Sequence, residues 1–576
     1  MRTTDTAETT GPDAEETLLR ERIADNPRPA LLWLLGAGVL VALEFGRIMG
    51  GVLQLGSAAS FVLGGLAKIP GWLGGNVGDA TLPILEYVVS DAVTLVLLFA
   101  GAVLLTNVLP WSIADVVDAD VSRRKLVYLE RIVLTGVLAG ITFLVMLTPV
   151  GSIARGVLAA PFETLSSVPT ITSHEVISNQ GHRLPDGGWE GTFLGLSPAI
   201  AWAIRVLLVY AYAFAVIAWI WKGYNVYREH YRQADWTPRD DTLRRLRNHY
   251  WGLFGMFVVL LFVVTALWAP AVSPTTAEQN IYSPYQHEVE YLNDDGEVES
   301  ILVGQANLDT QSDNQNTVGP LSYDQYDRWK PLGTTPNGQD MMTHLAYGAQ
   351  TSLLIGLLAI GLGGLIAVSL SLVTAYYKGV IDVVTVVTSD TIISIPAFLL
   401  VMMISVLFNE GNHYLAQPMD GALLLGLVFA FIYWPGMWRS IRGPSLQVAE
   451  EEWVDAAKSY GQTPGNTMRK HMAPYIAGYI MIYGSLLLGG VIIFTAALSF
   501  LGLGINAPTP EWGRLVSDGQ YFVSTSSWHV ATIPGLMIVL VVTAFNALGD
   551  GLRDAIDPEA DVSADDAGAA AAGGGG

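Results

Sequence analysis

The chain contains no cysteine among its 576 residues. Disulfides and thiolate metal sites are thereby excluded. Charge is scarce as well: 14% of residues are Asp, Glu, Lys or Arg, where a soluble domain carries about a quarter. Lysine is the rarer cation, with 7 against 23 arginines. No G-x-x-x-x-G-K-[ST] phosphate loop occurs, so the chain is not expected to be an ATPase. No H-E-x-x-H zinc site or nucleophile–base pair is present either, and the histidines (174, 182, 230, 249, 287, 344, 413, 471, 529) are scattered. An enzyme is therefore not expected, nor a metal or cofactor bound by this chain. The net charge of −22 leaves no basic surface for nucleic acid.

What the chain does have is apolar sequence, 51% of it, in runs that approach or exceed the bilayer-spanning length of roughly 18–20 helical residues. Examples are Leu31–Val41 continuing to Ile48, Val206–Trp221, Trp251–Trp268, Leu353–Val373 and Ile533–Leu548. The expected fold is an all-α polytopic membrane protein with about ten transmembrane helices in contact with membrane lipid. Four are expected over 30–50, 84–108, 131–151 and 197–221, and six over 251–271, 343–375, 381–408, 420–437, 474–501 and 530–548. The run 51–75 is broken by Gly and Pro and reads as re-entrant or interfacial. Residues 1–29 read as an acidic cytoplasmic tail, 30–239 as an N-terminal membrane region, 240–558 as a six-helix core, and 559–576 as a disordered tail. The polar start of the chain does not read as a cleaved signal peptide.

Lys/Arg bias in short loops sets orientation. Arg123, Arg124, Lys125 and Arg131 mark one cytoplasmic segment, and Lys222, Arg228, Arg232, Arg239, Arg244, Arg245 and Arg247 mark another. The outer loop 273–340 holds eleven acidic residues between Glu278 and Asp327, against Arg328 and Lys330. Parity then places loop 438–473 and both termini in the cytoplasm of a multi-pass cell-membrane protein. A strongly acidic chain suits concentrated salt, which screens its self-repulsion. A haloarchaeal source is the expectation, and an acidic protein from an ordinary organism is the alternative.

Loop 438–473 encloses a polar island, Glu452-Trp453-Val454-Asp455-Ala456-Ala457-Lys458-Ser459-Tyr460-Gly461, followed after nine residues by His471-Met472-Ala473-Pro474. Acidic residues early and Lys458 late favour a helix over Val448–Ser459. Gly461 is a helix stop, and Pro464 fits the first turn of a second helix. Such an elbow can seat in a partner's groove as a lever. An ordinary amphipathic loop lying on the membrane is equally compatible with the spacing.

Asp455-Ala456-Ala457, Gly461 and Pro474 resemble the cytoplasmic coupling motif of ABC-importer permeases, E-A-A, three residues, G, nine residues, I-x-L-P. Here Asp stands for Glu, and His471 and Ala473 for Ile and Leu. Further stretches are similar to signatures of the C-type subunit of dipeptide, oligopeptide and nickel importers. They are Pro331-Leu332-Gly333-Thr334, Gly338-Gln339-Asp340, Tyr347-Gly348-Ala349, then Asp382, Asp390 and Pro396, then Ala497–Gly504 with Pro508–Gly513, and finally Phe545–Asp554. The resemblance covers about 240–558. It departs at Thr335 and Gln339, where the family has Asp and Arg, and at Val386-Val387.

The resemblance implies an ABC type I importer core that forms its path with a second, homologous permease. It further implies two separate ABC ATPase subunits that use ATP, and an extracellular substrate-binding lipoprotein. Glu452, Asp455, Ala456, Ala457, Gly461, His471 and Pro474 would couple to the ATPases. Thr388, Asp390 and Ser394 are candidates to line the path, since polar groups in a span usually turn inward. The alternative for Asp390 is a structural pair with a neighbouring helix. Peptides are the expected substrate, with nickel or sugars as alternatives. A secondary transporter driven by an ion gradient would instead predict inverted repeats and broken helices with mid-membrane carboxylates. Ser485/Gly489 and Ala359/Gly363 read as close-packing pairs, Glu44 and Arg47 as mutually satisfied, and Arg205 as paired or snorkelling.

Overall fold

The computed structural model describes residues 19–54, 61, 130–138, 140, 164–232, 236–410 and 413–556. The spans expected over 84–108 and most of 131–151, and the run 51–75, fall almost wholly outside these residues. So do the tails 1–18 and 557–576.

Helices dominate. In chain order they are α1 (Leu19–Asp25), α2 (Pro27–Leu43), α3 (Pro198–His230), α4 (Pro238–Asn248), α5 (Tyr250–Leu267), α6 (Met341–Tyr377), α7 (Gly379–Ser394) and α8 (Ala397–Glu410). After these come α9 (Ala422–Ala449), α10 (Glu452–Ser459), α11 (Ala473–Phe500), α12 (Trp512–Gly519) and α13 (His529–Ile556). Six of them, α3, α5, α6, α9, α11 and α13, are long and apolar enough to cross a membrane. Two bent pairs, α1–α2 at 98° and α7–α8 at 81°, bring the candidates to at most eight among the described residues. The strands described form three short antiparallel hairpins, His182–Arg183 with Trp189–Glu190, Glu288–Leu292 with Val298–Leu302, and Ser322–Tyr323 with Trp329–Lys330.

Three expectations need correction. The span expected over 381–408 is two helices, because Ile395 is extended (φ −82°, ψ 128°) ahead of Pro396, the conformation a following proline imposes. The span expected to end at 437 runs on to Ala449, through Pro435 and Pro444, so 438–449 is helix rather than loop. Ser445 donates to the Ile441 carbonyl, as does Ser371 from α6, within the turn where Pro444 lacks its own donor. Lastly, the helix expected over Val448–Ser459 is interrupted between Ala449 and Glu452.

The core of the bundle lies among α6, α9, α11 and α13. Ile355 and Ala359 of α6 pack with Phe429 of α9 and with Val491 and Leu498 of α11. Phe262 of α5, Leu345 of α6, Trp512 of α12 and Phe545 of α13 form a second cluster. Lipid gives apolar helices little reason to associate, so contact surfaces depend on small residues. At the α5–α13 crossing a Cβ on Gly252 would sit 2.9 Å from the Gly551 Cα. Gly363 lies against the Ala430 carbonyl and Gly489 against that of Val542, which bears out close packing for those positions. Segment 273–340 and its two hairpins cap one end of the bundle, called here the loop end; α10 marks the opposite, elbow end. His529 at the start of α13 meets the Thr334 carbonyl at 3.2 Å, fastening that cap.

Candidate functional site: a coupling elbow and a polar helix face

The elbow begins where α9 ends. Glu451, extended at φ −70° and ψ 142°, opens α10. Val454 and Ala457 turn inward, and Val454 packs with Ala375, Ala449 and Met472, so the end of α6 forms the seat of α10. Helix α10 stops at a Schellman motif: the Gln462 amide donates to the Ala457 carbonyl (3.1 Å) and the Gly461 amide to that of Lys458 (2.9 Å). Gly461 has φ +76°, and open space surrounds the position a Cβ would take. Backbone conformation, not crowding, therefore demands glycine here.

A single turn, Pro464–Thr467, follows, and then a wide turn over Met468–Met472 leads into α11. His471 meets Gln462 (3.2 Å), and Trp453 stacks on Tyr475 with ring centroids 5.3 Å apart. Lys458 pairs with Asp455 at 3.0 Å and lies over the Tyr376 ring. Glu452, Asp455, Ala456, Gly461 and Pro474 are exposed, His471 is half-buried, and Ala457 is buried. Six of the seven expected coupling residues thus reach an open face of the elbow, while Ala457 anchors it. Tyr460, 89% exposed, stands at its tip.

The polar residues of α7 are the second feature. Thr388, Asp390 and Ser394 are all exposed. The hydroxyls of Thr388 and Ser394 donate back to Val384 (2.8 Å) and Thr391 (2.7 Å). Asp390 forms an ion pair with Arg439 of α9. One turn on, Arg442 grips Asp382 with two nitrogens at 2.8 and 2.5 Å. Both carboxylates of the expected Asp–Asp–Pro pattern therefore face the same neighbouring helix, and Pro396 supplies the break. The sequence does not single out Arg439 and Arg442 as partners, because their segment reads as loop. Their three-residue spacing, which places both on one helix face, was the available signal.

At the loop end, the remaining motif residues build structure. Gly348 of α6 lies under Trp512, whose indole donates to the Leu345 carbonyl at 2.9 Å. Asp340 caps α6 by accepting from the Thr343 amide and hydroxyl, each at 2.7 Å. Burial pushes the Lys330 ammonium down to about 8, with Asp324 and Asp340 opposing the shift. A cavity of about 340 Å³ opens beside these residues, lined in part by Thr335, Gln339, His344, Glu511, Arg514 and Asp518. Two of the departures from the family pattern, Thr335 and Gln339, face it. Burial raises Glu511 above the ordinary carboxylate range.

Comparison with known proteins agrees with this geometry. Residues 352–562 match the family described as binding-protein-dependent transport system inner membrane component. Residues 237–289 match the N-terminal transmembrane domain of oligopeptide transport permease C. A dipeptide transport system permease of Bacillus subtilis (strain 168) is 30% identical over 338 residues, 58% of this chain and 91% of the relative. A glutathione transport system permease of Pectobacterium atrosepticum is 30% identical over 324 residues, 56% of this chain and 92% of the relative. The chain belongs to the binding-protein-dependent ABC importer permeases of the dipeptide/oligopeptide family.

Proposed function

We propose that the chain is the permease subunit of an ATP-driven importer of dipeptides or oligopeptides. The elbow carries this reading: a rigid helix–glycine–helix unit, seated on α6, leaves Glu452, Asp455, Ala456 and Gly461 uncovered at one end of a bundle that carries no phosphate loop. Separate ATPase subunits would grip that face and pass their closure on ATP to the helices. Energy reaches the permease as differential binding to its two arrangements. The relatives' names point to short peptides, since a dipeptide and glutathione are both of that class.

The exposed Thr388, Asp390 and Ser394 would line the path against a second, homologous permease, because exposed polar groups are costly in lipid. An extracellular binding protein would deliver the peptide to the loop end. ATP would serve only the partner subunits. We place residues 240–558 as the permease core, the elbow and both termini in the cytoplasm, and the source in a high-salt, haloarchaeal setting consistent with the charge of −22. The test is uptake of a radiolabelled dipeptide into vesicles containing the complex. Uptake that needs internal ATP and ignores ionophores supports the proposal; uptake that collapses with the ion gradient and ignores ATP overturns it.

A further inference from the structure

Helix α5 is followed by a single short turn, Ala269–Val272, and this stretch has unusual surroundings. From Pro270 to Pro274, five consecutive backbone carbonyls each meet a side chain from the segment that precedes the core. His174 Nε2 meets Pro270 O at 2.7 Å, Arg205 Nε donates to Ala271 O at 2.7 Å, and Trp202 Nε1 donates to Val272 O at 2.8 Å. Arg205 Nη2 donates to Ser273 O at 2.8 Å and Asn179 Nδ2 to Pro274 O at 3.0 Å. The third arm of the guanidinium, Nη1, reaches Ile177 O at 2.7 Å, so Arg205 ties three separate strands of chain together. Because a carbonyl only accepts, His174 must carry its proton on Nε2.

The final carbonyls of a helix have no partner within it, and leaving them bare away from water is costly. They also carry the negative end of the helix dipole, which suits a cation. A planar guanidinium spreads five N–H donors over three nitrogens in a fixed fork, so it reaches carbonyls set apart from one another, where a lysine offers donors from a single nitrogen. Arg205 is fully buried, and each of its three nitrogens donates to a backbone carbonyl.

Nearby contacts strengthen the attachment. Glu44 accepts from Arg47 (2.8 Å), Thr172 (2.7 Å) and Trp268 (3.3 Å), and Tyr210 meets Thr265 at 2.8 Å. Gln180 donates to Gln279 (2.9 Å), and His182 faces Glu290 at 3.1 Å. All of these lie at the loop end. Toward the elbow end α3 turns Ile217, Ile220 and Trp221 outward, at 41%, 62% and 52% exposure.

We propose that residues 164–213 act as a brace, with Arg205, His174, Trp202 and Asn179 as positioning residues. It fixes the outgoing end of α5 to segment 273–340, so these parts travel as one body while the elbow end moves. The proposal gives the N-terminal region a mechanical role in the transport reading and rests on that reading for the motion itself.

Spin labels test it directly, because the chain has no cysteine to remove. In the complete complex, one label pair goes at Leu207 and Leu308, exposed at 71% and 49%, and a second at Asn466 and Leu308. The expected result is a single narrow Leu207–Leu308 distance that is the same with and without ATP, and that broadens in Arg205→Met. A Leu207–Leu308 distance that shifts with ATP, or stays narrow in Arg205→Met, overturns the brace. Should Arg205→Met not fold, Trp202→Phe and Asn179→Ala each remove one donor and are expected to broaden the distribution partially; unchanged width in both overturns it too. An Asn466–Leu308 distance indifferent to ATP would count against the ATP-driven reading, while the Arg205→Met comparison still decides the brace.

Discussion

Trp33 of α2 and Trp219 of α3 hold each other by reciprocal hydrogen bonds. Each indole donates to the other residue's backbone carbonyl, at 3.0 and 3.1 Å. Each ring also lies over a glycine of the opposite helix: a Cβ on Gly36 would sit 1.9 Å from the Trp219 ring, and one on Gly223 2.5 Å from the Trp33 indole. Two helices that share no charge pair are thus fixed by two aromatic plates and two absent side chains. Gly36→Ala should force the plates apart at a cost of roughly 1–3 kcal/mol. Thermal unfolding in detergent should show a lower midpoint; an unchanged midpoint would remove the lock from the account.

At Gly461 the strain is conformational rather than steric, with φ +76° and free space around the position. A β-branched residue there costs roughly 1–2 kcal/mol locally. Gly461→Val should therefore leave insertion and the bundle intact while uptake falls and ATP hydrolysis by the complex continues. Gly461→Asn, which tolerates the left-handed conformation, should retain most uptake. Equal activity of the two variants would contradict the role given to the Schellman stop.

The Asp382–Arg442 pair joins α7 to α9 through two hydrogen bonds, 2.8 and 2.5 Å. Partners in direct contact couple by about 0.5–3 kcal/mol in a double-mutant cycle. Asp382→Asn and Arg442→Gln should each lower the unfolding midpoint, and the double variant should lose less than their sum. Strict additivity would mean the pair is a surface contact of no energetic weight.

His174 supplies a pH dependence. Burial first, then the neighbouring guanidiniums of Arg205 and Arg47, push its imidazole from 6.5 down to about 3, against the opposing pull of the Pro270 carbonyl. Below the ordinary value the unfolded chain binds a proton that the folded chain refuses, so stability must fall as pH drops from 6.5 toward 3. Unfolding midpoints measured between about pH 7 and about pH 5.5 should decline in the parent and decline less steeply in His174→Gln. An identical slope in both would exclude His174 as its source.

The sequence makes the elbow legible because its stops are local: Gly461 ends one helix and Pro464 opens the next within three residues. The long spans are equally local, being runs of apolar residues. Prolines were harder. Pro396 breaks its span, while Pro435 and Pro444 are absorbed into α9, and only the surrounding helices decide which happens. Glu44 and Arg47 pair within one turn, as their spacing suggests. Arg205 could be seen in an apolar run, but its carbonyl partners at 271 and 273 lie 66 and 68 positions away and carry no side-chain signal. Asp390 likewise stands out as an acid within an apolar span, whereas Arg439 lies in a segment that reads as loop.

The most direct test of the central claim is to purify the tagged chain from its native membrane and identify what comes with it. A permease of the same family together with one or two phosphate-loop ATPases, lost from the complex when Glu452 and Asp455 are both replaced by Arg, is the predicted result. Recovery of the chain alone, with uptake intact under an ion gradient and without ATP, would contradict it.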